Sequence, residues 1–150
     1  MSLPKVAKQK RNEDEIKRPL IVPECETNDP DEVWYPPDWF LEQIHDIIIN
    51  RYGGYTGYEL GLEPYHQIIQ QVKNAEGIYR KGAILLKEIV TTRIFQDGHH
   101  RTAYIIVKTF LEKNDADFKE KDEQKILRFI KDIRTHNIDE IEGWLRDGEL

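Results

Sequence analysis

From residue 38 to the end of the chain, apolar residues recur at three- and four-residue steps, which predicts amphipathic helices rather than strands. The first helix covers about 38 to 52. Asp38 follows Pro37 as an N-cap, Phe40, Leu41, Ile44, Ile47 and Ile48 form the inner face, and Gly53-Gly54 stop the element. A glycine-rich link over 53 to 61 leads to a second helix over about 63 to 75, with Pro64 in its first turn and Tyr65, Ile68, Ile69 and Val72 on one face. The third, about 79 to 92, turns Ala83, Leu86, Ile89 and Val90 inward, with Gly82 as its weak former. The fourth starts at Gly98 or His99, presents Ala103, Ile106, Val107, Phe110 and Leu111, and closes at Asn114. A fifth covers about 123 to 135 through Ile126, Phe129, Ile130 and Ile133, and a short sixth holds Ile141, Trp144 and Leu145. Strand-like alternation is missing, and no solenoid-type repeat is visible. The expected architecture is an all-α bundle of about six helices.

Residues 1 to 37 follow another pattern. Lys5, Lys8, Lys10, Arg11, Lys17 and Arg18 come first, then Glu24, Glu26, Asp29, Asp31 and Glu32, with prolines at 19, 23, 30, 36 and 37. This is the composition of an N-terminal arm ahead of a helical domain over 38 to 150. The apolar clusters Leu20-Ile21-Val22 and Val33-Trp34-Tyr35 suit an extended arm that docks on the body, because large apolar side chains are poorly placed in a solvated tail.

Composition narrows the function classes. The chain has 150 residues, long enough for one core without disulfide or metal staples. Its 28 acidic against 22 basic residues give a net charge of −6, which opposes non-specific attachment to nucleic acid. Cys25 has no partner for an intramolecular disulfide, and the N-terminus lacks the apolar stretch of a signal peptide, so the cytoplasm is the expected compartment. No apolar run approaches the length of a membrane span.

The densest polar cluster between helical segments is Arg93-Ile94-Phe95-Gln96-Asp97-Gly98-His99-His100-Arg101, at the junction of helices three and four. A helix N-terminus offers unpaired amides and partial positive charge, so Gly98, His99 and His100 suit an anion, and Arg101 adds a planar guanidinium that fits phosphate. Asp97 suits a magnesium ion bridging phosphate oxygens, or serves as an N-cap. His45, His66 and His136 fit structural roles within or near helices, and a zinc site built on His99 and His100 needs a distant ligand that the spacing does not supply. Trp34, Trp39, Trp144 and the tyrosines at 52, 55 and 58 read as core or turn packing.

The run RIFQDGHHRTAYIIVKTFLEKN resembles the signature of the Fic/Doc family, His-x-Phe-x-Asp/Glu-Gly/Ala-Asn-Gly/Lys-Arg. The Doc (death-on-curing) branch is the nearer one, because HDIIINRYGGYTGYELGLEP, IYRKGAILLKEIV and IRTHNIDEIEGWLRDG resemble its neighbouring helices in the same order. The resemblance covers about 38 to 147. It implies a Fic/Doc-type bundle whose loop and helix N-terminus bind nucleotide phosphates, with ATP and Mg²⁺ as cofactors. It also implies transfer of AMP or a phosphate-containing group to a protein hydroxyl, with a protein substrate or a small antitoxin-like partner. Position by position, it places Asp97 at the metal, Gly98 and the next amides at the anion hole, Arg101 at phosphate and Phe95 at the buried anchor of the loop, and because the family's glycine turn lies beside its active site it sets Tyr55 and Tyr58 at the mouth of the cleft.

Three positions depart from the signature. Arg93 stands where the family has its catalytic histidine, and a guanidinium stays protonated in proteins, so it cannot act as general base. His99 replaces the asparagine and His100 the following glycine or lysine, and either imidazole is a substitute base if it reaches the reacting hydroxyl. The expectation is therefore a weakened or inactive transferase, or else a non-catalytic nucleotide- or peptide-binding protein such as a toxin–antitoxin remnant. Arg93 itself reads either as a drifted surface residue or as an added phosphate clamp. The family's inhibitory Ser/Thr-x-x-x-Glu-Gly/Asn element has no counterpart at Glu76-Gly77 or Glu142-Gly143.

Overall fold

A computed structural model describes residues 32–55 and 57–150. The basic run and the cluster Leu20-Ile21-Val22 lie outside the described residues, as does Cys25. Within them the fold is all-α, with six helices: α1 Asp38–Tyr52, α2 Glu63–Asn74, α3 Ile78–Thr91, α4 His99–Lys113, α5 Glu123–Lys131 and α6 Ile138–Asp147. An isolated bridge between Tyr58 and Phe95 is the extent of β pairing among the described residues.

The amphipathic pattern explains the packing. Helix α3 lies at the centre against α2, α4 and α6, and buries Ala83, Leu85, Leu86, Ile89 and Val90. Gly82 has a steric reason: a Cβ there would sit 3.2 Å from Leu111 of α4 and 3.5 Å from Leu145 of α6. Phe40, Leu41, Ile44 and Ile49 of α1 close the core from the α4 side. Each such side chain, fully withdrawn from water, stabilises the fold by about 1.5–3 kcal/mol before entropy is counted.

Lys81 is a charged member of this interior. Its Nζ donates to the Tyr35 hydroxyl at 2.9 Å and to the Val72 and Lys73 carbonyls at 3.0 and 3.2 Å, so three protons meet three acceptors. The ammonium thereby closes the C-terminal end of α2, where carbonyls lack intrahelical partners.

The segment 33–37 packs on the bundle in extended form. Trp34 is buried, its N–H donates to Asn114 Oδ1 at 2.9 Å, and Asn114 Nδ2 donates back to its carbonyl at 3.0 Å. The buried Tyr65 hydroxyl donates to the Pro36 carbonyl at 2.7 Å.

Local details differ from the sequence expectations. Pro37 caps α1 while Asp38 is its first helical residue, with a carboxylate that pairs with His66 instead of with backbone amides. The fifth helix ends at Lys131, and Ile133–Thr135 is a 3₁₀ turn, because Asn137 opens α6 with a capping box to Glu140. Trp39 is 49% exposed rather than packed, since it lies opposite the buried face of α1.

Candidate functional site

The junction between α3 and α4 is pinned from two sides. Ile94 and Phe95 are buried, and Phe95 stacks on the His45 ring of α1 at 3.6 Å with an interplanar angle of 7°. From the other side, the segment around Tyr58 contributes Glu59 N–H to Ile94 O at 2.9 Å and accepts Gln96 N–H at Gly57 O at 3.2 Å. Apolar anchoring thus holds a polar loop in place.

Asp97 ties this loop to both neighbours. Its carbonyl accepts a hydrogen bond from His45 Nε2 at 2.7 Å, and its Oδ2 accepts the Tyr55 N–H at 2.8 Å. It is not the N-cap of α4; that position is Gly98, in the left-handed conformation at φ 83°. A side chain at Gly98 would meet Ile49, His45 and Ile48 at 3.3–3.5 Å, so both conformation and space call for glycine. No side chain caps the first turn of α4, whose amides retain their hydrogen-bonding capacity and the positive end of the helix dipole.

This turn opens into a cavity of about 550 Å³. Arg93, Asp97, Gly98, His99, His100 and Arg101 all line it, so the structure brings the sequence-selected residues together. Tyr52, Leu127 and Lys131 join them from α1 and α5. Those three carry no local motif, and only the fold brings them near residue 98. Tyr55 and Tyr58, expected at a cleft mouth, are not lining residues.

Three cations, Arg93, Arg101 and Lys131, line the wall beside one carboxylate, Asp97. Arg93 is half-exposed, and its Nε donates to Glu59 at 2.7 Å, a hydrogen bond that holds the guanidinium even more firmly protonated. Arg101 lies 3.8 Å over the Tyr52 ring and donates to Glu123 at 3.3 Å. His99 is pushed down from the ordinary imidazole range, first by burial and then by the charges of Arg93, His100 and His45. Partial desolvation lowers His100 too, assisted by Lys131 and Arg134. Burial keeps His45 neutral-favouring despite its bond to Asp97. His99 Nε2 and the Thr102 hydroxyl, one helical turn apart, are buried without a hydrogen-bond partner.

The arrangement can neutralise an anion, but Arg93 cannot accept a proton. A neutral His99 can. Among the described residues no group of three or more His, Cys, Asp or Glu side chains forms a metal cage. Asp97 alone fits magnesium only as that ion is held beside phosphates, through one carboxylate with the remaining positions taken by phosphate oxygens and water.

No protein-family model matches the chain, and no curated protein matches it.

Proposed function

We propose that this chain is a Fic/Doc-like protein, descended from ATP-dependent protein-modifying enzymes, that binds the phosphates of a nucleotide and has lost transfer chemistry. The observation that carries this reading is the cavity at the start of α4, which Arg93, His99, His100, Arg101 and Lys131 line together with one carboxylate, Asp97. Free amides and guanidinium groups at a helix N-terminus suit phosphate oxygens. Asp97 would hold Mg²⁺, which supplies charge neutralisation at the phosphates when bound.

The loss of chemistry follows from position 93. Transfer to a hydroxyl needs a group that takes its proton, and the ion pair with Glu59 fixes Arg93 in the protonated state. Removing a general base lowers a rate by about 10²–10⁴. Incubation with labelled ATP and a panel of candidate hydroxyl-bearing proteins tests this. Wild type is expected to leave the nucleotide intact, and Arg93→His to gain transfer. Transfer by wild type that disappears in His99→Gln would overturn the reading in favour of an enzyme with a relocated base.

A further inference from the structure

Ile44, Ile48 and Tyr52 form one row along α1 at four-residue steps. Ile44 and Ile48 are buried in the bundle, whereas Tyr52, the last residue of the helix and by sequence a packing residue, is 50% exposed. The row runs past the end of the core and reaches the cavity, whose wall Tyr52 shares with Ile48 and with Leu127 of α5. These three give apolar surface to a cavity whose polar groups come mainly from the turn at 93 to 101.

Arg101 joins the two parts. Its guanidinium lies 3.8 Å from the centroid of the Tyr52 ring, and the residue lines the cavity beside Gly98, His99 and His100. Cation–π attraction to the ring uses none of the guanidinium N–H donors, and one of the five goes to Glu123. The rest are available to an anion. Arg51 is exposed and lies 6.0 Å from the same centroid, at the outer limit of such contact.

Phosphate recognition alone makes no use of this apolar surface. At about 550 Å³ the cavity falls in the range of sites that enclose whole small molecules, which combine apolar walls with a few polar groups. A half-exposed aromatic ring beside an arginine is the kind of platform on which nucleic-acid bases stack. Resting on the phosphate reading above, the geometry points to Tyr52 as the platform for the base of a bound nucleotide. Ile48 and Leu127 are then its apolar walls, and Arg101 is shared between the platform and the phosphates. The ligand class becomes a nucleoside polyphosphate, for which the base contributes affinity, rather than any compound that carries a polyphosphate.

Calorimetric titration of ATP and of inorganic tripolyphosphate, each with Mg²⁺, into wild type, Tyr52→Ala and Tyr52→Phe separates the base from the phosphates. Tyr52→Ala is expected to weaken ATP binding by at least about fivefold, the loss of one stacked base, and to leave tripolyphosphate within about twofold of wild type. Tyr52→Phe keeps the ring and should hold ATP within about twofold. Unchanged ATP affinity in Tyr52→Ala, or a loss in Tyr52→Phe as large as in Tyr52→Ala, would overturn the platform. Equal losses for the two ligands in Tyr52→Ala would overturn it too, leaving Tyr52 as a residue that only positions Arg101. In each of these cases tripolyphosphate binding by wild type keeps the phosphate reading intact. Absence of saturable binding of either ligand to wild type would overturn that reading and the platform with it.

Discussion

His45 Nε2 stands 2.7 Å from the carbonyl oxygen of Asp97, linking α1 to the turn that starts α4. A carbonyl only accepts, so the proton in this bond lies on Nε2. The ring is 1% exposed and stacked on Phe95, which leaves it little freedom. Replacing it by phenylalanine preserves the stack and removes the donor. His45→Phe is expected to lower unfolding free energy by about 1–3 kcal/mol, the range for leaving a buried polar group unsatisfied. Chemical denaturation measures this, and an unchanged midpoint would show that the bond does not hold the turn.

Three histidines, His45, His99 and His100, bind protons less readily in the folded chain than in the unfolded one. The unfolded values lie near 6.5, so below that pH the unfolded chain takes up more protons and the fold loses stability. Above it this contribution is complete and flat. His66, raised by Asp38, works in the opposite sense, but it is solvent-exposed and screened. Thermal unfolding is therefore expected at a lower temperature near pH 5.5 than near pH 7.5, and His45→Gln should shrink the difference. A wild-type midpoint that rises on acidification would contradict the assignment.

Two glycines with positive φ should respond differently to alanine. At Gly54, φ is +124° and a Cβ would lie 3.0 Å from both Asp97 Cβ and Ile49 Cδ1. At Gly61, φ is +84° and nothing lies within 4 Å. Gly61→Ala should cost about 1–2 kcal/mol for the left-handed backbone alone. Gly54→Ala adds a clash and should cost clearly more, as well as displacing Asp97 from Tyr55. Paired denaturation curves decide the order.

Arg101 is shared between Tyr52, Glu123 and the cavity. Its bond to Glu123 is partly exposed and worth about 0–1 kcal/mol. Glu123→Gln should release the guanidinium and raise phosphate affinity by up to about fivefold. Calorimetric titration with pyrophosphate reads this, and weaker binding in the variant would mean that Glu123 positions Arg101 usefully.

Much of the fold was legible because its elements repeat one local rule. The apolar spacing in α2 and α4 marks their buried faces, and Gly98 followed by a helical pattern marks the start of α4. What was not legible depends on contacts distant in sequence. Nothing in the apolar pattern singles out Lys81, yet Tyr35 and the end of α2 give its ammonium three acceptors inside the protein. His45 reads as a structural histidine, with nothing in its helix to reveal Asp97 as its partner 52 positions away. Asp38 reads as a cap, but His66 attracts its carboxylate. For the cavity, the continuous run from 93 to 101 supplied most of the wall, whereas Tyr52 and Lys131 arrive through the packing of α1 and α5.

The most direct test of a phosphate-binding cavity is calorimetric titration of ATP, with and without Mg²⁺, into wild type and Arg101→Ala. Saturable, magnesium-dependent binding by wild type is expected, with a loss of at least about tenfold in the variant, consistent with removal of a charged hydrogen-bonding group. Equal affinity in the two proteins, or no saturable binding by wild type at millimolar nucleotide, would contradict it.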